Sequence, residues 1–234
     1  SESDEQLEQI VIKSTIRLSQ MKALSMQKAA PNIMNVIAAT AIGKLPDHNA
    51  AEAVQRVSGV AVERDQGEGR FVLVRGTPVQ WSSTLVNGDR MPSTRSGDRG
   101  VPLDIFPSEL IQFVQVSKAI TPDMEGDVIG GSVNFITRTS PAKETFLGSV
   151  SAGYHNQSQS RILNGSLIYG NRSKDQKFGY IFSAATWNRD WGSDNFELVY
   201  NTSSSDPIHS IQQLQLRDYL GNRTTYGFNG AMDY

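Results

Sequence analysis

After Pro141 the sequence changes texture, and this change restricts the possible folds more than any other feature. "ETFLGSVSAGYH" puts Phe146, Gly148, Val150, Ala152 and Tyr154 on one side of an extended chain and Thr145, Ser149, Ser151 and His155 on the other, because successive side chains of a strand point to opposite faces. "RTTYGFNGAMDY" repeats the pattern, with Tyr226, Phe228, Met232 and Tyr234 against Thr225, Asn229 and Asp233. Segments near 161–170 and 178–189 alternate less cleanly. The short, charged "GNRSKDQKFG" reads as a turn between those two, and Asp190 to Asn222 as a much longer connection. Strands of roughly ten residues with a small and aromatic outer face, short turns at one end and long loops at the other describe a transmembrane β-barrel. A soluble β-sandwich is the alternative. Four strands cannot close a barrel, so on the first reading residues 142–234 form an incomplete one.

Before Pro141 the elements are short and mixed. Leu18, Met21, Leu24 and Lys28 recur at helical spacing until Pro31, and a short strand is expected near Ile33 to Ile37. In "NAAEAVQRVSG", Asn49 stands as an N-cap with Glu52 three residues on, and Gly59 is placed to end the helix. "DQGEGRFVLVRG" at 65–76 raises the question of a phosphate cradle. A cradle needs its glycines between a strand and a following helix; here β-rich runs lie on both sides. The stretch therefore reads as a hairpin whose glycines, Gly67 and Gly69, tolerate positive φ. Asn87-Gly88 is a second hairpin signal, and strands are expected at Phe113 to Ser117 and Ser132 to Arg138. Together these make a compact α+β domain up to about residue 141.

The composition disfavours several functions. With 24 acidic against 22 basic residues and no charged tail, the chain lacks the basic face that nucleic acid demands. The chain has no cysteine, hence no thiolate metal site and no cysteine nucleophile. His48, His155 and His209 show no metal-ligand spacing, and Asp89, Asp98 and Asp104 do not follow an EF-hand pattern. No catalytic constellation is recognisable and no cofactor is expected.

Four runs, "IGKLPDHNAAEAVQRVSGVAVERDQGEGRFVLVRG", "TLVNGDRMPST", "LDIFPSELIQFVQVSKAITPDMEGDVIGGSVNFITR" and "GFNGAMDY", resemble in order and spacing the TonB-dependent outer-membrane receptors. The resemblance implies an N-terminal segment at 1–17, a plug domain at 18–141 and the first strands of a barrel of about 22 strands at 142–234. The form of "DQGEGR…VRG" is similar to the branch that takes up glycans, which makes an oligosaccharide the expected cargo and a ferric siderophore the alternative.

By the same resemblance "EQIVIKS" looks like the TonB box, although Lys13 and Ser14 depart from the usual pattern; Ile10, Val11 and Ile12 are its core. An extended apolar run near a chain end can add as a strand to a partner, here the TonB energy-transducing complex. The resemblance makes the loops "TPVQWSS" and "RMPSTRSGDRG" the substrate-facing ones. Trp81 could stack on a sugar ring or pack on the barrel wall. Arg95, Asp98 and Arg99 could bind hydroxyls or a carboxylate, or simply be solvated. Arg75 and Arg138 are expected to pair with carboxylates of the barrel wall, and the barrel exterior to meet outer-membrane lipid.

Overall fold

The computed structural model describes residues 17–38, 50–65, 68–94, 99–122, 124–126, 128–156, 159–202 and 210–234. Residues 10–12, 95 and 98 lie outside them, as do Asn49 and Gly67. The chain divides into two compact units: residues 1–148, 166–185 and 226–234 in one, and 149–165 and 186–225 in the other.

In the first unit, helix α1 (17–29) leads into β1 (Met34–Ala38). The helix holds the fold through Ala23, which packs with Ala38 and Phe113, with Met26 alongside. Leu18, Met21 and Leu24, whose spacing announced the helix, are exposed. Helix α2 (Ala50–Val54) is one turn long and buries Ala50, Ala51 and Val54 completely. It is shorter than its apolar spacing predicts, but the chain does turn at Gly59, in the left-handed region at φ 73°.

Next come β2 (Val60–Asp65) and β3 (Glu68–Val74), the expected hairpin. Gly69 is not there for a positive φ, however. It lies within β3 beside a bulge at Glu63/Arg64, and a Cβ on it would sit 2.8 Å from Val62 Cγ1. Its role is to let two elements approach closely.

Strands β4 (Ser82–Val86), β5 (Asp89–Arg90), β6 (Ile111–Ser117) and β7 (Gly131–Thr137) join β1 in a five-stranded sheet of order β1-β6-β7-β4-β5. Asn87 and Gly88, both at positive φ, make the turn from β4 to β5 as expected. Val114, Val116, Val133 and Phe135 point from one sheet face into the main core, where they meet Val54, Val74 and Leu103. Period-two alternation sends Phe113, Gln115, Ser117, Ser132 and Asn134 to the other face. Helix α1 covers the Phe113 end of that face, and the rest of it carries these polar side chains with Met34 and Leu85 among them.

Strands β8 (Thr145–His155), β9 (Ser160–Arg172), β10 (Gly179–Tyr200) and β11 (Ile211–Asp233) form a second sheet of order β11-β10-β9-β8. Tyr226, Phe228 and Met232 of β11 are about 70–80 % exposed and alternate with half-buried neighbours, as an outer apolar face requires. The β9–β10 turn is held by Asp175, which accepts hydrogen bonds from the Ser173 hydroxyl (2.5 Å) and the Lys177 amide (3.3 Å). These bonds hold its carboxyl below the usual carboxylate range.

The long connection expected from Asp190 to Asn222 is largely strand. β10 continues to Tyr200 and β11 begins at Ile211. In the second unit the two strands are tied by Asn188 to Thr224 (2.8 Å), by Asn222 to Asp190, and by Glu197, which accepts from Tyr219 (3.0 Å) and pairs with Arg217 (3.3 Å). Cross-strand polar pairs thus carry these residues as a ladder.

Candidate functional site

The predicted substrate loops are set by the sheet. Pro78 opens a single 3-10 turn, Val79–Trp81, and the Trp81 carbonyl accepts the Gly130 amide at 2.7 Å. Its backbone is thus pinned while the indole is 48 % exposed, as a stacking platform would need to be. Arg99 lines a recess of about 280 Å³ with Arg90, Met91, Pro92 and Ser93, and the Ser93 hydroxyl bonds the Gly100 carbonyl at 2.8 Å to close the loop. Trp81 is not part of that recess.

Arg90 was not among the expected site residues. It also lines a larger cavity, about 460 Å³, on the polar face of the five-stranded sheet. The floor there is Ser83, Gln115, Ser117, Ser132 and Asn134. Asn134 donates to Gln115 Oε1 (3.1 Å) and accepts the Gly88 amide (3.0 Å), so the Asn87-Gly88 turn aligns the floor. Arg90 pairs with Glu125 at the solvent side. The available sequence signal was the hairpin motif itself, since Arg90 follows Asn-Gly by two residues.

Arg75 is turned inward to the plug. It sits at φ 56°, next to Gly76 at 71°, a conformation that costs a non-glycine residue about 1–3 kcal/mol. Its guanidinium donates to the carbonyls of Ile129 (3.0 Å) and Gly130 (3.2 Å), which holds it there. Arg138 directs its Nε to the Glu109 carbonyl (2.8 Å). Burial lowers its pKa, opposed by the negative charge of Glu109. Its contact with a strand of the second sheet is through its own carbonyl, which accepts from Asn229 of β11 at 3.4 Å.

The stronger tie between the segment leaving β7 and the strands is one the sequence did not announce. Ser140 bonds both Asp233 of β11 and Arg172 of β9, the latter at 2.6 Å, and Arg172 pairs with Asp233. Gly227 makes room for Pro107 and Leu110 nearby; a Cβ there would fall 2.6 Å from Leu110 Cδ1. Arg172→Ala is expected to loosen this junction, so that limited proteolysis cuts near Ser140 faster than in the wild type; Lys174→Ala, in the adjoining turn, should leave the rate unchanged.

Residues 26–132 match the TonB-dependent Receptor Plug Domain family. No curated protein sequence matches the chain. Many solved structures share its fold, three of them as follows. The siderophore receptor PirA from Acinetobacter baumannii is 18 % identical at a TM-score of 0.52, covering 71 % of this chain and 29 % of its own. The unliganded ferric citrate transporter FecA is 17 % identical at 0.57, covering 87 % and 32 %, and the copper transporter OprC is 14 % identical at 0.52, covering 88 % and 31 %. The chain therefore spans about a third of the length of these receptors. The plug-domain match, rather than any missing catalytic cluster, sets enzymes aside. Residues 26–132 therefore form a plug domain of the TonB-dependent receptor family, and the antiparallel strands that follow share the fold of such receptors.

Proposed function

We propose that the chain is the coupling and gating part of an importer that carries an oligosaccharide across the outer membrane. The matched plug, preceded by the apolar Ile10-Val11-Ile12 segment, supports this most directly. Substrate meets the exposed indole of Trp81 and the loop of Arg95, Asp98 and Arg99. Force applied through Ile10 to Ile12 by the TonB complex rearranges the plug, and the cargo passes to the periplasm. In this orientation the 173–178 turn is periplasmic. A membrane-spanning strand needs about 9–11 residues, and β10 and β11 have 22 and 23, so half of each stands above the bilayer on the outside.

The second reading is a ferric-siderophore receptor. It is favoured by the siderophore and ferric citrate receptors among the similar structures and by Arg90 and Arg99 in one recess, suited to an anionic chelate. A deletion strain separates the two. The oligosaccharide reading expects slower growth and uptake on oligosaccharides with normal growth under iron starvation; the reverse result establishes the siderophore reading instead.

A further inference from the structure

The polar face of the plug sheet carries a separate cavity, to which each predicted substrate loop contributes one residue, Ser83 and Arg90. Its cavity, about 460 Å³, falls in the range of about 300–1,000 Å³ that holds small-molecule ligands. Its floor carries hydroxyls of Ser83, Ser117 and Ser132 and carboxamides of Gln115 and Asn134. These groups both donate and accept, and none is charged. The charged residues of the lining, Asp89, Arg90 and Glu125, lie at the solvent side, where Arg90 pairs with Glu125. A metal chelate or a phosphate would find no unshared cation among these floor residues, whereas a sugar finds complementary partners for several hydroxyls. The wall also includes Met34 of β1, the edge strand of the sheet, hydrogen-bonded along one side to β6. Three parts of the chain distant in sequence therefore meet around the space: β1, the β4–β5 hairpin, and Met124, Glu125 and Val128.

We propose that this cavity is a second ligand station inside the plug, selective for uncharged, hydroxyl-rich ligands and closed by the Arg90–Glu125 ion pair. The assignment of sugar chemistry rests on the oligosaccharide reading above, but the site can be tested separately from transport. Ser132→Cys, with Ser83→Cys as a second position, is introduced into the full-length receptor in outer-membrane vesicles and labelled with a neutral maleimide. Maltotriose, cellotriose and xylotriose are the neutral probes, and citrate is the charged comparator. At four times its Kd a bound trisaccharide slows labelling about fivefold, and citrate is expected to have no effect. Glu125→Gln is expected to speed labelling in the absence of sugar, because the ion pair is lost.

Protection by at least one trisaccharide together with faster labelling in the Glu125→Gln receptor supports the station. No protection at either cysteine, equal protection by citrate, or cysteines that stay unreactive even with Glu125→Gln overturns it. Uptake of the same sugars by cells is measured in parallel. Uptake without protection means the station is wrong and the cargo assignment right; protection without uptake means the converse.

Discussion

Proline at Ile10 or at Val11 is expected to abolish energised uptake while leaving surface binding of cargo intact. A segment that joins its partner by strand addition relies on main-chain hydrogen bonds. Alternate amides face the partner, so whichever register is used, one of the two substitutions removes a pairing donor. Leaving the partner carbonyl without it costs about 1–3 kcal/mol, or roughly 5- to 150-fold in affinity for the energy-transducing protein. The measurement is cargo accumulation in cells beside equilibrium binding to the purified receptor. Normal uptake in both proline variants would show that Ile10 to Ile12 are not the coupling segment. Loss of binding along with uptake would show damage to the receptor rather than to coupling.

Gly131→Ala is expected to have the largest effect on the plug itself. Gly131 opens β7 at φ 136°, and a Cβ there would lie 2.6 Å from the Ser117 carbonyl and 2.8 Å from Val74 Cγ1. Ser117 ends β6 and Val74 is wholly buried, so neither can move without disturbing the sheet or the core. Backbone strain and overpacking each cost about 1–3 kcal/mol. A loss of about 2 kcal/mol or more follows, which is about thirtyfold faster hydrogen exchange at the β6 and β7 amides where these open cooperatively. Gly126→Ala is the control: a Cβ there meets nothing within 4 Å, and a change within about 0.5 kcal/mol is expected. Equal exchange in the two variants would mean that β7 can shift to admit the methyl group.

The two hairpins and the alternating outer face were legible because each is encoded by neighbours a few residues apart. The same local logic misjudged some positions. The stretch from Asp190 to Asn222 looked like a loop because it is polar, yet Phe196, Leu198 and Tyr200, and then Leu214 and Leu216, already step by two, and cross-strand polar pairs continue the strands. Gly69 looked like a turn residue, but its neighbour Val62 lies across a strand pair and decides its role. Helix α1 was recognised from Leu18, Met21 and Leu24, whereas the residue that docks it is Ala23.

What the sequence determined by itself is therefore the kind of molecule: a mixed α+β domain, then strands with one apolar face, in an order resembling a receptor plug and barrel. Period and turn chemistry are local, and they survive without knowledge of the fold. The tertiary structure alone decided which side chains meet. Ser140 and Asp233 are 93 positions apart, Arg172 and Asp233 61, and Arg90 and Glu125 35. Arg75 holds two backbone carbonyls 54 and 55 residues away. Such contacts depend on strand register and on how closely elements approach, quantities set by the packing of the whole domain and written in no single stretch of the chain.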